Sequence, residues 1–306
     1  MNRKMKNNLS ILGHLACFAA YAIFGFNIIV CKDLTSGHLL SPLTIFCLRA
    51  MGAGGLFWLI SLFMPKEKVD KKDYLKIFAA SMLGFFTCQL SFLAGIPYIT
   101  PMDCSILASL SPIYTLFIAA IALKEPITWQ KTGGVVVSFL GIIYLIITSV
   151  SATGAAQTTP FGIVMSIINA LSFSLYLGIF RPLISKYSVI TFMKWIFLFA
   201  FAVSFPFSAT EIVSTNWSTF PSIQLAELGY LIVAATFITY TLIPFGQKHI
   251  RPTLVSLYSY VQPIIAIAIS IFIGMDTLTW QKVLAAAMVF GGVVIVSYSK
   301  SKAEKH

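Results

Sequence analysis

Apolar residues run along the chain in blocks of about 20 residues separated by short polar gaps. The blocks fall at 10–31, 42–64, 74–95, 101–123 and 130–149, and then at 161–181, 190–209, 226–246, 252–274 and 281–299. A helix needs about 20 predominantly apolar residues to cross the hydrocarbon core of a bilayer. Each block therefore predicts one transmembrane helix, ten in all. The first is long enough to span and shows no convincing small-residue cleavage site, so it reads as a retained helix.

The gaps carry basic residues unevenly. Arg3, Lys4, Lys6, the group from Lys66 to Lys76, Lys124, Lys131, Arg181, Lys186, Lys194, Lys248, Arg251 and the group from Lys300 to Lys305 share one side of a ten-span threading, while Lys32 and Lys282 fall on the other. Cytoplasmic loops retain lysine and arginine, so both termini are expected in the cytoplasm of a cell with a bacterial inner (plasma) membrane. Arg49 is left inside the second block.

The blocks repeat. Pro101, Ser105, Pro112, Thr128-Trp129-Gln130-Lys131, Phe139 and Gly141 return as Pro252, Ser256, Pro263, Thr279-Trp280-Gln281-Lys282, Phe290 and Gly292, always 151 residues later. The chain thus reads as two copies of one unit, 1–150 and 151–306. Five spans per copy is an odd number, so the second copy crosses in the opposite sense. The expected fold is all-α: a polytopic membrane protein of ten transmembrane helices in two inverted five-helix repeats. Inverted repeats can exchange inward-open and outward-open arrangements around a shared midplane site, which points to a transporter.

Composition agrees with this reading: 58% of residues are hydrophobic, 10% are charged and mean hydropathy is +0.88. The net charge of +11 follows membrane topology rather than forming one basic face, so no nucleic-acid partner is expected. The partners are the bilayer and a small-molecule substrate, with the chain a monomer or homodimer. Cys17, Cys31, Cys47, Cys88 and Cys104 lie in or beside apolar blocks without metal-ligand spacing, and read as packing residues. No GxxxxGK[ST], HExxH or GxSxG occurs, which argues against ATP hydrolysis by that route and against common membrane hydrolases. Neither a cofactor nor a metal is expected.

Several stretches resemble the drug/metabolite transporter superfamily, in its EamA-like branch. They are Ile23-Phe24-Gly25-Phe26-Asn27 ending at Lys32, Pro42 followed by Leu48-Arg49-Ala50, Phe92 to Thr100, and Ser109 to Pro112 followed by Leu123, Glu125, Thr128 and Gly133. The resemblance covers nearly the whole chain and implies a ten-helix transporter without fixing its substrate. The chain departs from the pattern where Phe24 replaces a tryptophan. In the second half Asp276 takes the place of Glu125, and an apolar residue near Leu198 takes that of Arg49.

Pro112 and Pro263 occupy equivalent mid-span positions, and broken helices at matching places point to a transport site as well as to packing kinks. Around them, Gln89 pairs with Tyr240, Ser105 with Ser256, Ser109 with Tyr260 and Ser111 with Gln262 by the same spacing, and Asn27 pairs with Tyr176 when Lys32 is aligned with Arg181. The expected substrate cavity is lined by Asn27, Gln89, Ser105, Ser109, Tyr176, Tyr240, Tyr260 and Gln262, with Pro112, Pro263 and Arg49 as break or gating residues. Arg49 reads either as an attractor of an anionic or zwitterionic substrate or as a structural arginine. Glu125 and Asp276 read as gate partners for a lysine or as solvated acids near a helix start. Trp129 and Trp280 read as interfacial anchors. No carboxylate falls clearly at mid-membrane, Asp103 lying near the end of the fourth block, so a proton relay of buried carboxylates is not expected. Facilitated diffusion, exchange or a weakly visible ion site is expected instead. The expected cargo is a small polar or amphipathic metabolite such as an amino acid or analogue, moved outward or in both directions. The alternatives are a multidrug or nucleotide-sugar type carrier and, in another class, a non-transporting scaffold or sensor.

Overall fold

The computed structural model describes residues 3–37, 39–111, 113–114, 129–150, 158–249, 258 and 260–298. Every element among them is helical. In chain order they are α1 (Arg3–Ser36), α2 (Pro42–Ser61) and α3, which joins Asp73–Ser81, a π-helical turn at Met82–Thr87 and Cys88–Gly95. Then come α4 (Pro101–Ala108), α5 (Trp129–Val150), α6 (Pro160–Ile179) and α7 (Val189–Ser214). The last three are α8, which joins Ser222–Ile232, a second π turn at Val233–Ile238 and Thr239–His249, then α9 (Val261–Phe272) and α10 (Trp280–Tyr298).

Among the described residues, five helices are long and apolar enough to cross a membrane: Ile11–Ser36, Pro42–Ser61, Asp73–Tyr98, Val189–Ser214 and Ser222–Gly246. Thr132–Leu145, Pro160–Tyr176 and Val261–Phe272 are apolar but shorter. The fourth apolar block lies partly outside the described residues, as does the start of the ninth.

Local chemistry sets the helix starts. Ser41-Pro42, Thr100-Pro101 and Thr159-Pro160 each place a hydroxyl at the N-cap and a proline at the first helical position, where its missing N–H leaves nothing unpaired. The three hydroxyls accept from the N–H groups of Thr44, Asp103 and Gly162. Ser188 caps α7 in the same way through Thr191 N–H.

Equivalent helices pack against each other, antiparallel. Ser138 of α5 donates to the carbonyl of Val289, its own counterpart in α10, at 3.1 Å. A Cβ on Gly141 would lie 3.1 Å from the Ala285 carbonyl, and one on Gly292 would strike the Gly134 carbonyl, Ala285 and Gly134 being counterparts in turn. Such reciprocal contacts mark an axis of approximate two-fold symmetry. The pair α2 and α7 repeats the arrangement: Gly54 meets Phe197, and the Phe57 and Phe197 rings stack 5.3 Å apart. At the ends of this pair, Glu211 of α7 takes the Ser41 N–H at 2.6 Å and its hydroxyl at 2.5 Å. Glu67, just beyond α2, takes the Ser188 N–H at 3.0 Å and its hydroxyl at 2.6 Å. Each half's second helix is thereby capped by a serine that a glutamate of the other half holds. Elsewhere α1 packs on α8 and α9, while its counterpart α6 packs on α3 and α4.

Candidate functional site

Arg49 lies in the middle of α2, fully buried. An arginine at the centre of a membrane helix costs about 2.5–3.5 kcal/mol on insertion scales unless protein replaces the lost water. Here its donors meet acceptors from α3 and α8. Nη1 donates to Gln89 Oε1 at 2.8 Å, Nη2 to the Ala235 carbonyl at 3.2 Å, and Nε to the Thr236 hydroxyl. Thr236 passes its own proton to the Leu231 carbonyl at 2.7 Å, five residues back. Gln89 Nε2 reaches the Tyr240 hydroxyl at 3.4 Å. The polar chain Tyr240–Gln89–Arg49–Thr236 joins both halves through helices α2, α3 and α8.

The two π turns hold this group. Met82–Thr87 and Val233–Ile238 occupy equivalent positions. A π turn disrupts the regular i to i−4 ladder and tends to occur at functional sites. In α8 it carries Ala235 and Thr236, two of the three acceptors of Arg49. In α3 it carries Gly84, the counterpart of Ala235, where a Cβ would run into the Tyr176 ring. Tyr176 of α6 therefore sits directly on the first π turn. Asn169, two turns earlier on α6, donates to the Cys88 carbonyl at 2.8 Å. Tyr240 is walled by Phe24, Phe85 and Phe197, with ring centroids 5.9 to 6.2 Å away.

The remaining candidates are distributed differently. Asn27 is buried and accepts from the Cys31 thiol one turn along α1. Ser105 and Ser109 donate to carbonyls of their own helix, at Pro101 (2.6 Å) and Ser105 (2.9 Å). Tyr260 packs edge-on to Phe290, with centroids 5.8 Å apart. The Gln262 carbonyl receives the close approach of Gly25, whose Cβ would come within 2.7 Å. In the other half Ser174 donates to the Ser111 carbonyl at 3.1 Å, so each residue before a break proline is met by the first helix of the opposite half. Pro263 is buried in the first turn of α9. Pro112, Ser256 and Glu125 lie outside the described residues. α4 ends at Ala108, and Ser109 and Leu110 form a turn.

Both ends of the bundle carry ionic clusters. At the Lys32 end, the Lys282 ammonium lies 2.6 Å from Asp276 and 3.5 Å from Asp103. Lys32 donates to the carbonyls of Ile96, Pro97 and Ile99 at 2.7 to 3.0 Å. A cleft of about 350 Å³ opens beside them, lined by Thr35, Ser41, Pro97, Tyr98 and Glu211 among others. At the opposite end Lys186 binds Asp70 and, at 2.6 Å, Asp73, and Tyr187 donates to Asp73 at 2.8 Å. Hydrogen bonds to Asp70 and Asp73 raise Lys186 above the ordinary lysine value. Partial burial pushes the Glu67 carboxyl up, but hydrogen bonds from Ser188 and Thr191 and the Lys194 charge outweigh it and hold the group below its usual value. Trp129 and Trp280 are largely exposed at the starts of α5 and α10.

The sequence alone does not reveal Thr236, Asn169 or the burial of Asp103 and Asp276. The counterpart of Thr236 is Phe85, so pairing polar positions across the repeat passes over it. Of Glu125 and Asp276, Asp276 lies among the described residues and pairs with Lys282.

A model of the EamA-like transporter family matches residues 11–147 and again residues 160–298. The chain is 25% identical over 261 residues to an uncharacterized transporter of Archaeoglobus fulgidus, covering 85% of this chain and 90% of that one. To an uncharacterized inner membrane transporter of Salmonella typhimurium it is 24% identical, over 93% and 95% of the two chains. It is also 25% identical to an S-adenosylmethionine uptake transporter of Rickettsia prowazekii, over 64% and 63%. A crystal structure with 15% identity shares the fold, with a TM-score of 0.61 over 92% of this chain and 95% of that one.

Proposed function

From the premise that this chain belongs to the EamA-like transporter family, we propose that it carries small polar or amphipathic metabolites, amino acids or their analogues, by alternating access without ATP. The protein is an integral membrane transporter, and the relatives it matches are named as transporters rather than enzymes. The finer reading is a ten-span bundle of two inverted units, 1–150 and 151–306, whose halves rock about the α2/α7 and α5/α10 pairs.

The observation that carries this reading is the Arg49 group. A fixed, fully buried guanidinium sits between the halves, held by one amide, one hydroxyl and one carbonyl. A substrate carboxylate offers two acceptors in the geometry of the guanidinium fork and can replace the neutral Gln89 and Ala235 acceptors with a stronger charge-assisted pair. Tyr240, Phe24 and Tyr176 supply apolar and aromatic surface for the rest of the molecule. S-adenosylmethionine, named for the Rickettsia relative, joins an amino-acid end to a cationic and aromatic remainder and fits this division. In this reading Asn27, Gln89, Tyr176 and Tyr240 line the site, Ser105, Ser109, Tyr260 and Gln262 support the neighbouring α4 and α9 segments, and Pro112 and Pro263 mark the breaks.

Reconstituted protein should exchange an external labelled amino acid or S-adenosylmethionine for internal unlabelled solute. Arg49→Met should lower that counterflow at least about tenfold, because it removes a charge-assisted bond to the substrate carboxylate worth about 1.5 kcal/mol or more, while Trp129→Phe leaves it within about twofold. An equal response of the two variants would remove the site assignment, and absence of flux for every solute in an amino-acid, nucleotide and lipophilic-cation screen would remove transport of these classes.

A further inference from the structure

At the Lys32 end one buried carboxylate oxygen lacks a hydrogen bond among the described residues. Asp103 is 0% exposed, the Asp276 side chain 2% and the Lys282 side chain 12%. Asp276 is fully engaged: it accepts from Lys282, from the Thr277 N–H at 2.8 Å and from the Met102 N–H at 3.2 Å. Asp103 accepts from Thr158 through Oδ2. Among the described residues its Oδ1 is buried and accepts no hydrogen bond, with the Lys282 ammonium 3.5 Å away. Two carboxylates thus share one ammonium. Lys32, the other cation packed against this end, has its ammonium on three backbone carbonyls. The remaining neighbours among the described residues are the Thr100 hydroxyl, 3.3 Å from Lys282, and the Cys104 thiol, which faces Ser166 of α6 at 3.9 Å.

Uncompensated buried charge is costly, so a lone carboxylate oxygen out of water marks a place where a positive charge belongs. The cluster also crosses the halves, with Asp103 in the first and Asp276 and Lys282 in the second. Thr158, although in the second half by sequence, is held to the first by the Thr100 N–H at 3.2 Å, so a movement that withdraws Asp276 and Lys282 from α4 takes the ammonium away and leaves Asp103 beside Thr158 and Thr100. In the second half the sequence has Leu254 at the position equivalent to Asp103.

We propose that Asp103, with the hydroxyls of Thr158 and Thr100, is a binding site for a small monovalent cation, a proton or sodium, which the Lys282 ammonium replaces when this end of the transporter is closed. The ammonium is a built-in competitor for the external ion: closure expels the ion and opening requires it. This assignment does not rest on the identity of the carried metabolite.

Cys104, next to Asp103 and 3% exposed, reports opening without any substrate. In purified full-length protein in detergent with the other four cysteines replaced by serine or alanine, the rate at which a maleimide labels Cys104 measures how often this end opens. Replacing choline by sodium at fixed pH tests one ion. Lowering the pH in choline, with the rate corrected for the thiolate fraction, tests the other. One of the two should raise labelling at least about fivefold, the lower end of ordinary coupling between linked sites, and Asp103→Asn should abolish the rise. Lys282→Met gives a reversed sign: with the ammonium gone, the same ion closes the carboxylate pair and should slow labelling. A wild-type rate indifferent to both ions, a rise that survives in Asp103→Asn, or an ion effect of unchanged sign in Lys282→Met would each overturn the proposal. If Asp103→Asn does not fold, the sign in Lys282→Met decides.

Discussion

Lys186 shows how a single side chain ties the end of the bundle opposite Lys32. It bridges Asp70 and Asp73 of the first half from the end of the short helix Arg181–Lys186 that precedes α7, and its own neighbour Tyr187 completes the contact. A lysine whose folded value is raised stabilises the fold fully below its unfolded value near 10.5 and loses that contribution as pH climbs through the folded value. The difference in melting temperature between wild type and Lys186→Met should therefore be constant at neutral and mildly alkaline pH and shrink only above the ordinary lysine range. A difference that shrinks on acidification instead would assign the stability to Asp70 or Asp73. At this scale the sequence is legible where a residue type conflicts with its surroundings. Arg49 stands out as a charge in an apolar run, and Gln89 and Tyr240 as polar residues at matched positions. Thr236 and Asp103 do not stand out, because a threonine in a helix is ordinary and because burial of an acid at a helix start depends on which other helix covers it.

Among the helices, the adjacent glycines Gly291 and Gly292 separate propensity from packing. A Cβ at Gly291 meets nothing within 4 Å, whereas at Gly292 it would strike Ser138 and the Gly134 carbonyl of α5. Gly291→Ala should raise thermal stability by up to about 1 kcal/mol through helix propensity, and Gly292→Ala should lower it by about 1–3 kcal/mol through overpacking of α5 on α10. Equal effects in a detergent unfolding assay would mean that the two helices do not touch there. The apolar blocks foretell most of the long helices because spanning length and hydropathy are local properties. The π turns are not foretold: Met82–Thr87 and Val233–Ile238 share position but little composition, and one extra residue per turn leaves no mark on a hydropathy pattern. The caps at Ser41, Thr100 and Thr159 carry a local signal, a hydroxyl residue followed by proline, that periodicity alone passes over.

For the molecule as a whole, the duplicated spacing and the uneven lysines predict two inverted halves, and the equivalent helices α5 and α10, like α2 and α7, lie antiparallel in contact. What neither signal carries is which faces meet, since that depends on shape rather than period. The paired caps make the relation testable. Ser41→Ala and Ser188→Ala should each cost about 0.5–2 kcal/mol. Combined with Glu211→Gln and Glu67→Gln respectively, each pair should show non-additivity of at least about 0.5 kcal/mol, whereas the crossed combinations, Ser41→Ala with Glu67→Gln and Ser188→Ala with Glu211→Gln, should add. Coupling in the crossed combinations would disprove the contact pattern.

The serine-glutamate pairing also sets an order of events during synthesis. Ser41 waits for Glu211, 170 residues later in the chain, and Gly141 waits for the α10 residues that close around it. At roughly 5–20 residues per second, the first half stands in the bilayer for on the order of ten seconds or longer with α2 uncapped and the inner face of α5 against lipid. A nascent chain arrested before Glu211 should consequently be the form on which membrane chaperones and proteases act, and the protein reaches its final packing only when translation of the second half is nearly complete.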